Sequence, residues 1–145
     1  MKIILSALLF CISAFAFGEA DMSGYWSVKC GGFGGNIQIN TSNEVKININ
    51  DNNLFISAHL GHDKNGVTEI YYQNIIESDN DLIDWEHISR NKPIATISLK
   101  DNILDVSWHG LFDSKKGIYV WENQPDFVVA TGNRQEIKMQ RCNFS

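Results

Sequence analysis

From residue 21 onward, apolar and polar residues alternate with a period of two, and clusters of Gly, Asn, Asp and Ser break the alternation every few positions. Successive side chains on a strand point to opposite faces, so this pattern predicts short strands with one buried face. No stretch of helical period is long enough to compete with it. Strands are predicted at 25–30, 36–40, 44–50, 54–60, 67–77, 93–99, 104–108, 118–122, 127–130 and 135–142. In the third, Val45, Ile47 and Ile49 share one face and Glu44, Lys46, Asn48 and Asn50 the other, as a half-buried antiparallel strand requires. The clearest hairpin sets Ala95, Ile97 and Leu99 against Leu104, Val106 and Trp108 across a turn at Lys100-Asp101-Asn102. Between these strands, Leu82, Trp85 and Ile88 recur at i, i+3, i+6, which predicts a short helix or an irregular crossing near residues 80–90. The fold class is therefore all-β, a small antiparallel barrel or sandwich of about eight to ten strands.

The first twenty residues break this pattern. Lys2 precedes a nearly unbroken apolar run at 3–17, and small residues follow, as in a secretory signal peptide. Cleavage after Ala16 or Ala20 satisfies the small-x-small rule, and Ala20 is preferred because Asp21-Met22-Ser23 then opens the mature chain. The run is too short to span a membrane, so residues 1–20 are expected to be removed and 21–145 to form a single domain without a membrane anchor. Export implies a periplasmic or extracellular location. Removal of Cys11 leaves Cys30 and Cys142, and in an oxidising compartment these are expected to pair, joining the first strand to the last. Alternation raises one conflict: Ile137 and Met139 send Cys142 to the opposite face, whereas Cys30 shares a face with Trp26 and Val28. A bulge, or a Cys142 just past the ladder, resolves it.

The net charge of −5 argues against nucleic acid or anionic membrane surfaces as main partners, because both require positive fields. Candidate chemistry is sparse. His59-Leu60-Gly61-His62 with Asp63 has a metal-like spacing, but residues three apart on a strand face opposite ways and no third ligand is identifiable. No metal or other cofactor is expected. Asp84 and Glu86 around Trp85, with Glu69, Glu77 and Asp105, supply acids, and His87 and His109 supply bases. No serine or cysteine sits in a nucleophile motif, so no residue is assigned a catalytic role. Asn40-Thr41-Ser42 and Asn143-Phe144-Ser145 match a glycosylation acceptor pattern that matters only in a eukaryotic source.

Aromatic residues carry more information. Trp26 and Trp108 share faces with aliphatic residues and are expected in the core, whereas Tyr119, Trp121 and Trp85 are candidates for a binding surface. Gly24-Tyr25-Trp26, followed by a glycine turn, resembles the opening strand of lipocalin and avidin-type barrels. Arg141 resembles the arginine that packs across that tryptophan in lipocalins. This resemblance implies a closed barrel with an interior site for a small apolar ligand. A second likeness, at fold level, is to bacterial periplasmic lysozyme inhibitors, although Ser23-Gly24-Tyr25 departs from the spacing of their Ser-Gly-x-x-Tyr loop. The expectation is an exported, non-catalytic binding protein, of inhibitor or immunity type, whose partner is another exported protein. The alternatives are a small apolar-ligand carrier and a cell-wall or polysaccharide hydrolase using Asp84 or Glu86.

Overall fold

The computed structural model describes residues 20–51, 54–79 and 81–143. The expected signal peptide falls almost entirely outside these residues. Ten strands form: β1 (Gly24–Ser27), β2 (Asn36–Ile39), β3 (Glu44–Asn50), β4 (Leu54–Lys64), β5 (Val67–Ser78), β6 (Pro93–Lys100), β7 (Ile103–Trp108), β8 (Leu111–Asp113), β9 (Ile118–Val120) and β10 (Glu136–Cys142). Eight close into an antiparallel barrel in which β1 to β7 follow one another and β10 seals the sheet between β7 and β1. The other two, β8 and β9, form a separate hairpin in the excursion between β7 and β10. The architecture is therefore the barrel of the two expected alternatives.

Turn chemistry sets the registers. Asp101 and Asn102 both adopt positive φ between β6 and β7, and Asn65-Gly66 does the same between β4 and β5. The first of these turns pairs Ala95 with Trp108, Ile97 with Val106 and Leu99 with Leu104, as the alternation predicts. The seam between β1 and β10 is short, with only Tyr25–Cys142, Trp26–Arg141 and Ser27–Gln140 opposed. The Cys30–Cys142 disulfide crosses this seam. The face conflict is resolved because β1 stops at Ser27, so Cys30 lies in the turn beyond the strand and escapes its alternation.

The barrel interior is filled by its own side chains. Trp26, Ile37, Ile47, Ile56, Ile70, Leu104, Trp108 and Met139 are all buried there. One end is crossed by the segment before β1, where the Trp26 Nε1–H donates to the Met22 carbonyl at 2.9 Å. The Arg141 guanidinium lies 4.7 Å from the Trp26 ring centroid, the stacking implied by the lipocalin resemblance. We call this the strap end.

The opposite end is covered by α1 (Asp126–Ala130), where the alternation predicts a strand at 127–130. Pro125 explains the difference: its carbonyl accepts the N–H groups of Val128 and Val129, starting a single helical turn. The turn buries two consecutive residues, Phe127 and Val128, which a strand with one covered face cannot do. Phe127 meets Trp108 edge-on at 5.3 Å. The predicted helix near 80–90 is reduced to one 3-10 turn at Trp85–His87, with Ile83 and Ile88 buried on either side of it.

Candidate functional site

At the helix end the chain runs Gly31-Gly32-Phe33-Gly34-Gly35, and its geometry follows from the glycines. Gly35 has φ of +73°, and a Cβ there would stand 2.5 Å from the Asn48 carbonyl oxygen and 3.0 Å from the Phe127 ring. Only glycine fits that crossing. The loop is held from both sides. Upstream, Cys30 is bonded to Cys142 and the Gly32 N–H donates to the Lys29 carbonyl at 3.2 Å. Downstream, the Asp51 carboxylate accepts the N–H groups of Gly34 at 2.7 Å and Gly35 at 3.2 Å, together with the Asn48 side-chain amide at 2.9 Å. The Asp51 N–H in turn donates to the Asp126 carboxylate at 2.8 Å, tying this cluster to α1.

Held between these anchors, Phe33 is 91% exposed. The loop lies against α1, since a Cβ at Gly34 would be 3.8 Å from that of Ala130, and the neighbouring Val129 is 56% exposed. A large aromatic side chain thus projects to solvent from backbone fixed by a disulfide and a charged carboxylate. Neither Phe33 nor the Asp51 and Asp126 pair stands out from alternation, which marks 31–35 and 51–53 merely as turns. The available signal was an aromatic residue between two Gly-Gly pairs, a context with no neighbouring side chain to pack against.

The aromatic residues singled out from sequence are divided among different environments. Tyr119 donates its hydroxyl to the Pro93 carbonyl at 3.0 Å and packs edge-on against Phe112 at 5.1 Å. It lines an outer groove of about 770 Å³ with Pro93, His109, Glu122 and Arg134. Burial pushes the Tyr119 phenol up and the His109 imidazole down, with the Glu69 charge adding to the first shift and opposing the second. Trp121 and Trp85 lie outside that lining. β9 ends at Val120 and Trp121 takes φ of +58°, so it leaves the face it was expected to share with Tyr119 and packs against the core. Its carbonyl accepts the Trp108 Nε1–H at 2.9 Å. Trp85 stacks on Tyr72 at 5.9 Å.

The acid and base candidates are dispersed. Asp84 lies 2.8 Å from His87 Nδ1, and this neighbour is the main influence holding its exposed carboxyl below the usual range. That is the reverse of what a general acid needs. Glu86 and Glu77 are exposed, Glu69 accepts the Tyr71 hydroxyl at 2.6 Å, and Asp105 pairs with Lys138 at 2.6 Å. His59 stacks on Tyr71 at 5.5 Å while His62 is exposed at the strap end. Among the described residues, no three of His, Cys, Asp or Glu gather as a metal-holding group, and no helix is long and apolar enough to cross a membrane. Comparison with protein-family models, curated proteins and solved structures gave no match. Any functional reading therefore rests on the chain's own geometry.

Proposed function

We propose that this chain is an exported, non-catalytic binding protein that engages another exported protein by inserting Phe33 into an apolar cleft of that partner. The observation that carries this reading is the exposure of Phe33 on a loop anchored at Cys30, Gly34 and Gly35. Buried aromatic anchors dominate interface energetics, and a loop already fixed in place loses little conformational entropy on docking. Val129 on α1 extends the apolar contact, and the net charge of −5 favours a partner whose rim is basic. The disulfide accords with an oxidising compartment. An inhibitor or immunity-type role fits a rigid scaffold that presents one wedge. The interior filled by Trp26, Trp108 and the aliphatic residues around them weighs against an apolar-ligand carrier.

The test compares three forms of the protein as affinity baits in the secreted or envelope fraction of its source: native, Phe33→Ala and Ile118→Ala. Ile118 is 55% exposed on β9 and serves as the control. The same partner is expected with native and Ile118→Ala baits and is lost with Phe33→Ala, while all three melt alike. Retention of that partner by Phe33→Ala overturns the reading.

A further inference from the structure

The outer groove that Tyr119 lines is separate from the Phe33 loop, and backbone contacts on both sides of it fix its shape. Its floor is Ser107-Trp108-His109, where β7 ends. The Trp108 N–H donates to the Gln135 carbonyl at 2.8 Å, and Ser107 stands opposite Glu136, which sets residues 133–136 along one bank. On the other side Gly110 takes φ of +105°, and a Cβ there would stand 2.6 Å from the Val120 carbonyl oxygen and 3.1 Å from Glu122 Cγ. Only glycine allows so close an approach, which brings Tyr119 and Glu122 to the second bank. The banks are tied to each other where Gln135 Nε2 donates to Asn123 Oδ1 at 3.2 Å.

We propose that this groove binds a neutral saccharide. Glu122, Arg134 and Glu136 line it, are exposed and form no ion pair among the described residues, so their charged ends are open to a ligand. Two carboxylates repel an anion and the guanidinium repels a cation, so the charge balance selects a neutral molecule. A sugar hydroxyl both donates and accepts, and so satisfies carboxylate and guanidinium together. Burial holds the His109 imidazole on the floor below its ordinary value, so at pH 7 it is neutral and offers one donor and one acceptor. The Tyr119 hydroxyl is committed to the Pro93 carbonyl at 3.0 Å, which leaves ring carbon as its contribution. A ring beside hydrogen-bonding groups matches the apolar C–H face and hydroxylated rim of a sugar. The volume of about 770 Å³ lies within the range of small-ligand sites, and banks already tied together lose little freedom on binding.

Calorimetric titration of the full chain with cellotetraose, maltotetraose and chitotetraose, and with tetragalacturonate as the acidic comparator, tests the proposal. At least one neutral tetramer is expected to bind with a Kd of about 1 mM or tighter, and at least about tenfold more tightly than tetragalacturonate. Arg134→Ala and Glu122→Gln are each expected to weaken that tetramer by about tenfold or more while leaving the melting temperature unchanged. Phe33→Ala, on the separate loop, is expected to bind it as the native protein does. No binding to any neutral tetramer, equal or tighter binding of tetragalacturonate, unchanged affinity in either groove variant, or loss of affinity in Phe33→Ala overturns the proposal.

Discussion

Removing the disulfide is expected to cost this barrel a large share of its stability. Cys30 and Cys142 are 112 positions apart, so the bond closes almost the whole described chain into one loop. The chain-entropy relation for such a loop gives about 5 kcal/mol at 25 °C. Domains of this size are stable by only about 5 to 15 kcal/mol, so the loss is comparable with the total. The structure sharpens the effect. The bond crosses the β1–β10 seam, a short ladder of three opposed pairs. Cys30→Ala/Cys142→Ala is the appropriate variant, because Cys142 is buried and alanine adds no hydroxyl to satisfy. Urea titration of the oxidised native protein and of the variant gives both the midpoint and the slope. The midpoint is expected to fall steeply and the slope to rise, since the unlinked denatured chain exposes more surface. A loss below about 1 kcal/mol would refute the reasoning, because strain or residual denatured structure would then have cancelled the entropic gain.

Two further outcomes follow from the same geometry. Asp51→Ala removes the acceptor for three donors and is expected to cost about 2 kcal/mol. It is also expected to speed amide exchange at Gly34 and Gly35, read by NMR, with Ile37 in the adjoining strand unaffected. Burial holds the His109 imidazole below its ordinary value of 6.5, so the unfolded chain takes up this proton at higher pH than the folded one. Stability from this group is complete above that value and is lost as pH falls from it toward the depressed folded value. Melting temperatures across this window are therefore expected to drop less in His109→Gln than in the native protein.

Much of the barrel was legible in the chain because its core strands obey period two. β3 and β7 bury the residues that alternation selects, β6 buries Ala95 and Ile97 with Leu99 half-buried, and the turns at Asn65-Gly66 and Asp101-Asn102 have the composition their backbone demands. Trp26 and Arg141 were readable as a pair through the lipocalin resemblance, and the β1–β10 register sets them opposite one another. The helix at 126–130 was not legible. The four apolar residues that follow Pro125-Asp126 suit a strand equally well by pattern, and burial of Phe127 and Val128 over the barrel end, a tertiary fact, favours the helical turn that starts at Pro125. Trp121 left its expected face for a similarly local reason, a left-handed backbone at the end of β9. Phe33 and Asp51 were obscured because their roles arise from contact between two loops distant in sequence.

Replacement of Phe33 by photoreactive p-benzoylphenylalanine, with irradiation in the oxidising compartment of the source, tests the central claim most directly. The account predicts one dominant covalent adduct with a single partner protein from position 33 and none from the same group placed at Ile118. No adduct at 33, or equal adducts at both positions, would contradict it.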